Sequence, residues 1–333
     1  MHESHNPGLQ EHYSRSSWIM RANKWGMANA EWGMNGVRLS RHAMACEFEI
    51  IAIGEDRAAL RDIVELALDE VEKLEERLSC FRPTSEVSYI NSEATARPVI
   101  ASPDLFRILS LAKQVWSDTA GALDVTSGPL VGLWRKAEKT GTEPDEQAIA
   151  AVLEKVGMGR VLLDDATHAV QFESEGISIN LGSIGKGYAV GKAASILSEY
   201  GVECALVSGG RSSVIGMGPG PDGDGWRVGI RHPSKLDGRV DEILLRDQAM
   251  STSGGPAQLD ADVEERFEHI IDPTTGMQAR SEAASVSVIA PDAALSDALA
   301  TAFYLRGREF AERYCSEHEG VRAIFSYECA PGD

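Results

Sequence analysis

The sequence predicts an α+β fold, on three observations. Short runs read as strands at 205–208, 226–230 and 285–290, the last alternating apolar and small or polar residues with the period of a strand. Longer stretches, above all 56–78, keep apolar residues at helical spacing. The two kinds mix without strict alternation, which favours α+β over a doubly wound parallel sheet.

Residues 1–36 read as a poorly ordered polar arm, and ordered structure is expected from Arg38 in a single domain over 37–333. In the arm, Trp18, Trp25 and Trp32 recur every seven residues and could dock an amphipathic segment onto the body or a partner. His2, His5 and His12 belong to the same polar start and read as tail rather than as a metal site.

Phe48, Ile50 and Ile51 form a short strand, and Leu60, Val64, Ala67, Val71, Leu74 and Leu78 then mark an acidic amphipathic helix over 56–78. A loop is expected at 80–86, with Asn91 closing a short turn. Ser102 before Pro103 is a cap followed by proline at the first helical position, so a helix is expected over 103–119. Further on, a helix is expected over 146–156 and strands over 160–163, 169–172 and 177–180. A helix over 184–200 then leads to strands at 205–208, 214–217 and 226–230. The strand 285–290 ends at a Pro-Asp turn and leads into the helix that carries Asp297 and Thr301.

Composition narrows the function. The 333 residues are 43% hydrophobic and 25% charged, ordinary for a globular protein, and the formal charge of −19 argues against a broad nucleic-acid or anionic-lipid surface. An anionic ligand has to be held locally, by a metal, backbone amides or a few basic side chains. The five cysteines, Cys46, Cys80, Cys204, Cys315 and Cys329, have no close pair or metal-type spacing and read as reduced thiols. With no signal-peptide core and no apolar run of membrane-spanning length, a cytoplasmic setting is expected.

Several constellations could carry chemistry. Asp297 and Thr301, four apart on a helix, put a carboxylate and a hydroxyl on one face, where they could hold a hard cation or form a local polar pair. Residues 182–187 (GSIGKG) lie between a strand and a helix; glycines, helix-start amides and Lys186 suit a pyrophosphate, or a plain tight turn. Gly209 and Gly210 end a strand and suggest close backbone approach to a ligand or to a neighbouring strand. The stretch 251–255 (STSGG), with Thr252 and Ser253, reads either as a loop turn or as a similar approach. His269 precedes a tight turn at 272–276 and could supply proton transfer near neutral pH. In the island 121–130, Asp124 and Thr126 sit among apolar residues, as a buried hydrogen-bond network would.

Taken in order, the islands MACEFEI at Met44, FRPTSEVSYIN at Phe81, GALDVTSGPLVGLW at Gly121, INLGSIGKGYAVG at Ile179, ALVSGG at Ala205, WRVGIRHP at Trp226, STSGG at Ser251, HIIDPTTG at His269 and SVSVIAPDAALSDALATAF at Ser285 resemble the ApbE-type flavin transferase family. The resemblance implies two tandem T-fold-like α+β halves with the flavin site in the cleft between them. It implies a Mg²⁺-dependent FAD:protein FMN transferase that moves FMN from FAD to a Thr or Ser hydroxyl of an acceptor flavoprotein, forms a phosphoester and releases AMP. Carried over by position, Asp297, Thr301 and the carbonyl of Ser183 become metal ligands, and His269 the catalytic base. Phe81 stands where an aromatic often stacks on FAD, while Met44, Ser85, Glu86, Asn91, Asp124, Lys186, Gly209, Gly210, Thr252 and Ser253 fall in flavin-lining regions.

The chain departs from the family pattern at Asn180 and Gly191, where Asp is common, at Ala45-Cys46, where Gly-Thr is frequent, and at Arg211, where Asp or Asn is usual. Two other readings share these residues: a Mg²⁺-dependent FAD pyrophosphatase giving FMN and AMP, and a flavin-binding protein without turnover.

Overall fold

The computed structural model describes residues 36–231, 239–254 and 270–327. Nearly all of the expected arm therefore lies outside the described residues, as does His269.

Strands β1 (Gly36–Ala43) and β2 (Cys46–Ile53) form an antiparallel hairpin, and helix α1 (Arg57–Leu78) follows. Asp56 caps α1 by accepting from the N–H groups of Ala58 and Ala59. Its apolar stripe, Leu60, Val64, Ala67, Leu68, Val71, Leu74 and Leu78, is buried, each large side chain contributing about 1.5–3 kcal/mol. The connection to the next long helix holds a correction. Asn91, expected in a turn, lies inside a short helix α2 (Glu86–Glu93) whose N-cap is Ser85.

After the two-residue β3 (Val99–Ile100), α3 (Pro103–Asp118) starts on Ser102 as the sequence leads one to expect. Helix α4 (Gly128–Thr140) was not anticipated, its Gly128, Pro129 and Gly132 being poor helix formers; α5 (Glu146–Leu153) follows it. Strands β4 (Val161–Asp164) and β5 (Ala169–Phe172) pair with each other, and β5 with β3, as a small separate sheet.

The strand expected over 177–180 does not form; the structure has an isolated bridge between Ser178 and Ser127. Neighbouring backbone groups bond elsewhere. The Ile179 N–H donates to Asn91 Oδ1 at 2.7 Å, the Ile179 carbonyl accepts from Asn91 Nδ2 at 3.0 Å, and the Asn180 N–H donates to the Val125 carbonyl at 2.7 Å. A side-chain amide thus replaces a strand neighbour.

Helix α6 (Gly185–Glu199) leads into β6 (Cys204–Gly209), β7 (Ser213–Met217), the hairpin β8 (Trp226–Arg231) and β9 (Arg239–Leu245), and β10 (Gln248–Gly254). Thus 251–254, weighed as a turn, is strand. The chain ends with β11 (Ser285–Ala290), α7 (Ala293–Glu317) and β12 (Arg322–Ser326). Seven strands make one antiparallel sheet in the order β1-β2-β6-β7-β10-β11-β12. Helices α1, α6 and α7 share one apolar core over one face. On the opposite face Trp226, Val228, Ile230 and Leu245 of the β8–β9 hairpin pack on Ile51, Leu206, Val214, Met250 and Ile289.

Asp104, in the first turn of α3, ties three helices together. It accepts from the Tyr188 hydroxyl at 2.6 Å and from Lys192 at 3.1 Å, both on α6, and pairs with Arg77 of α1 at 3.1 Å. Burial pushes its carboxyl up, but these partners outweigh burial and hold it below the ordinary carboxylate value.

The β1–β2 hairpin turns on Met44 (φ 49°) and Ala45 (φ 59°), both left-handed. Two-residue turns of this hand favour Asn-Gly because an L side chain is strained there. Ala45 is exposed and would lose little packing on truncation. Ala45→Gly is therefore expected to stabilise the chain by about 0.5–1 kcal/mol, read as a rise in the denaturation midpoint at unchanged slope.

Candidate functional site

The crossing of α6 and α7 builds the group around Asp297. Gly182, Ser183 and Ile184 form a turn, with the Gly182 N–H bound to Asn180 Oδ1 at 2.9 Å, and α6 then starts without a side-chain cap from its own N-terminus. The missing acceptor comes from α7. Asp297 Oδ2 accepts from the Gly187 N–H at 2.9 Å, and the Ser213 hydroxyl donates to Oδ1 at 3.3 Å. Gly187 makes the approach possible: a Cβ there would lie 2.6 Å from Cβ of Asp297 and overlap the Ala293 carbonyl.

Asp297 is 4% exposed. Burial pushes its carboxyl up, opposed by the charge of Lys186, the Gly187 amide and the Ser213 hydroxyl. Thr301, one turn on, has its hydroxyl 3.0 Å from Ser253 Oγ. Strand alternation decides which neighbour faces α7: Ser251 and Ser253 do, whereas Thr252 points to the other face, where its hydroxyl lies 2.7 Å from Ser287 Oγ. Ser251, which the sequence reading did not single out, is fully buried in register with Ser213, and its Oγ has no partner among the described residues. Only the strand register brings it here.

The glycines at the end of β6 have packing roles. A Cβ on Gly209 would meet Phe48 at 2.9 Å and Val190 of α6 at 3.0 Å. Gly210 takes φ 63° in the turn to β7, and its N–H donates to the Glu47 carbonyl at 3.0 Å. Arg211 is exposed on that turn. Gly191 faces Ala293 with room for a Cβ at 3.6 Å.

A cavity of about 380 Å³ is lined by Trp116, Ala120, Gly121, Asp124, Gly157 and Thr274, among others. Of this lining, Asp124 is the residue to which the sequence reading gave a site role, while Gly121, Pro273 and Thr274 lie in the motifs it quoted. The Asp124 carboxylate accepts from the Thr126 N–H at 2.8 Å, the Thr126 hydroxyl at 2.5 Å and the Met158 N–H at 3.0 Å. This is the buried polar network the sequence suggests. Burial pushes the Asp124 carboxyl up against these donors. Trp116 carries no local signal that would have found it, since the cavity forms only where distant segments meet.

The third group comprises Met44 and residues between 81 and 91. Phe81 is 63% exposed, with the Arg135 guanidinium 4.4 Å from its ring centre. Ser85 caps α2 by accepting from the Ser88 N–H, Glu86 accepts from the hydroxyl and N–H of Ser102, and Asn91 bonds Ile179 as described. These three have hydrogen-bond partners within the fold, while Met44 forms the β1–β2 turn.

Asp297, Thr301 and the turn at Ser183 present only oxygen donors, and no cluster of three His, Cys, Asp or Glu side chains occurs among the described residues. Such a set suits a hard cation that keeps waters and takes ligand phosphates, rather than a soft or fully caged ion. The orphaned Ser251 hydroxyl adds another oxygen beside Ser213.

A model of the ApbE family matches residues 44–325. The chain belongs to the ApbE family. It is 31% identical over 290 residues to the FAD:protein FMN transferase of Klebsiella pneumoniae (strain 342), covering 84% of this chain and 81% of that protein. The FAD:protein FMN transferase of Treponema pallidum (strain Nichols) is 31% identical over 281 residues, covering 79% and 78%. Among solved structures, the flavin transferase ApbE from Vibrio cholerae superposes with a TM-score of 0.73 at 27% identity, over 87% of this chain and 97% of that one. The ApbE protein of Thermotoga maritima gives 0.75 at 28%, over 87% and 94%. The mixed helix-and-sheet architecture is therefore that of ApbE structures. Among the described residues, no helix of this ApbE chain is long and apolar enough to cross a membrane.

Proposed function

We propose that this chain is a Mg²⁺-dependent FAD:protein FMN transferase, moving FMN from FAD to a Thr or Ser hydroxyl of an acceptor flavoprotein. The observation that carries this reading is the buried Asp297 at the start of α6, with Lys186 beside it and Thr301 one turn on, in a chain of the ApbE family. Asp297, Thr301 and the Ser183 carbonyl would hold the cation, which when bound supplies charge stabilisation to phosphoryl oxygens. Lys186 meets the pyrophosphate, and the Trp116 cavity takes one of the two ring systems of FAD.

In the transfer, the acceptor hydroxyl oxygen bonds to the FMN phosphorus, the bond from that phosphorus to the bridging oxygen breaks, and AMP leaves with the electron pair. His269 takes the hydroxyl proton. The tandem T-fold-like arrangement with the flavin cleft between the halves belongs to the same reading; it is supported by the repeat of a strand pair followed by a long helix, β1–β2–α1 and β10–β11–α7, on one sheet face.

Incubation of the purified chain with FAD and Mg²⁺, with and without a candidate acceptor, tests the reading by resolving AMP, free FMN and flavinylated protein. Flavinylated acceptor with equimolar AMP is expected. Free FMN and AMP at the same rate without acceptor would make it a pyrophosphatase, and FAD binding without products a flavin-binding protein. His269→Ala is expected to lower transfer by about 10²- to 10⁴-fold, the usual range for a general base, with FAD affinity little changed by calorimetry and one limb of the pH–rate profile lost.

A further inference from the structure

We infer that Arg306 is a positioning residue for the ligand cavity, clamping one of its walls to the same helix that carries Asp297 and Thr301. The inference rests on the flavin-nucleotide reading of that cavity and adds to it a residue and a coupling.

Arg306 stands at a break in α7. Gly307, the next residue, has φ 78° and ψ −179°, a conformation essentially confined to glycine, so the helix interrupts there. A Cβ on Gly307 would meet nothing within 4 Å, so the backbone angle rather than space is what calls for glycine. From this break the Arg306 Nε donates to the Thr119 carbonyl at 3.2 Å and its Nη2 to the Ala120 carbonyl.

Those carbonyls belong to an unusual turn. Ala120 (φ 50°) and Gly121 (φ 83°) are left-handed in succession, which for the alanine costs roughly 1–2 kcal/mol against its ordinary conformation. The turn is held from within by the Gly121 N–H on the Trp116 carbonyl at 2.8 Å and the Ala122 N–H on the Thr119 carbonyl at 3.2 Å. It is also a wall of the cavity, between Trp116 and Asp124. A planar guanidinium can satisfy two successive carbonyls at once, which the single ammonium of lysine does less well.

Nine residues separate Arg306 from Asp297, about 13 Å along a helix. One helix thus carries the candidate phosphate end and the clamp on the ring-binding wall at a separation suited to an extended dinucleotide. The plain alternative is that Arg306 only caps the C-terminal carbonyls of α3 and contributes to stability.

The test compares the full-length chain with Arg306→Ala and Arg306→Lys. Amide hydrogen exchange without ligand reads the clamp directly. In Arg306→Ala the Gly121 and Ala122 amides are expected to exchange about tenfold faster or more, with β6 and α1 amides unchanged. Calorimetry and kinetics with FAD and Mg²⁺ read its consequence. FAD affinity should fall about tenfold, the scale of one charge-assisted hydrogen bond, with KM rising in step, kcat at saturating FAD nearly unchanged, and lysine restoring only part. Unchanged exchange at the turn, a uniform rise in exchange across the fold, or a loosened turn with unaltered FAD affinity would each overturn the inference. Failure of the wild-type chain to bind FAD would overturn the functional reading, while the exchange comparison would still decide whether Arg306 holds the wall.

Discussion

Asp297→Asn is expected to abolish metal-dependent transfer, lowering it by at least about 10³-fold, the equivalent of several kcal/mol of charge stabilisation. The same substitution should leave the metal-free fold as stable as the wild type or more so. Asparagine is nearly isosteric, can still accept from the Gly187 N–H, and can offer its amide to Ser213. The sign follows from burial, which raises the folded pKa of Asp297 above its unfolded value. The folded state therefore keeps the proton to higher pH. The group's favourable contribution is complete below the unfolded pKa and is lost as pH rises through the folded one. Above the unfolded pKa the raised value is therefore a cost to folding, which Asn removes. Thermal unfolding in EDTA and product analysis with Mg²⁺ read the two halves; full transfer by the variant, or a large loss of metal-free stability, would contradict this account of Asp297.

Gly187→Ala is expected to have the largest effect on the fold itself. The added methyl would overlap the Ala293 carbonyl and press on Cβ of Asp297, and both obstacles belong to the first five residues of α7. Overpacking of this kind typically costs about 1–3 kcal/mol, occasionally more, and the upper end applies because backbone rather than a flexible side chain must move. The forced separation of α6 and α7 also weakens the Gly187–Asp297 bond, so transfer should fall even in protein that remains folded. Denaturant unfolding measures the first effect. Wild-type stability would mean that α6 can shift without cost and that the close crossing does not constrain the site.

Much of the fold was legible because its determinants are local. Asp56 and Ser102 announce the starts of α1 and α3 from their own side chains, and the apolar stripe of α1 repeats within a few residues. The segment 177–180 looked like a strand because its apolar alternation is genuine, yet Asn91, 88 residues away, supplies the bonds that a strand neighbour would have made. Helix α4 was missed because Gly128, Pro129 and Gly132 are poor helix formers; in the structure its Trp134 is buried and bonds the Gly276 carbonyl. Thr252 and Ser253 were equivalent as neighbours in a motif, and the sheet register sends them to opposite faces.

The sequence by itself determined the mixed fold class, the family, and the pairing of Asp297 with Thr301, since a separation of four residues on a helix places both on one face whatever surrounds them. Tertiary structure alone decided what that face meets. Asp297 reaches the Gly187 amide across 110 residues, and Arg306 reaches the Thr119 and Ala120 carbonyls across 187 and 186. Helical periodicity and caps arise from interactions within a turn or two of chain, so they can be read locally. The approach of α6 to α7, and the closing of the Trp116 cavity, depend on which apolar faces bury each other and on where glycine leaves backbone room, and those are properties of the packed molecule.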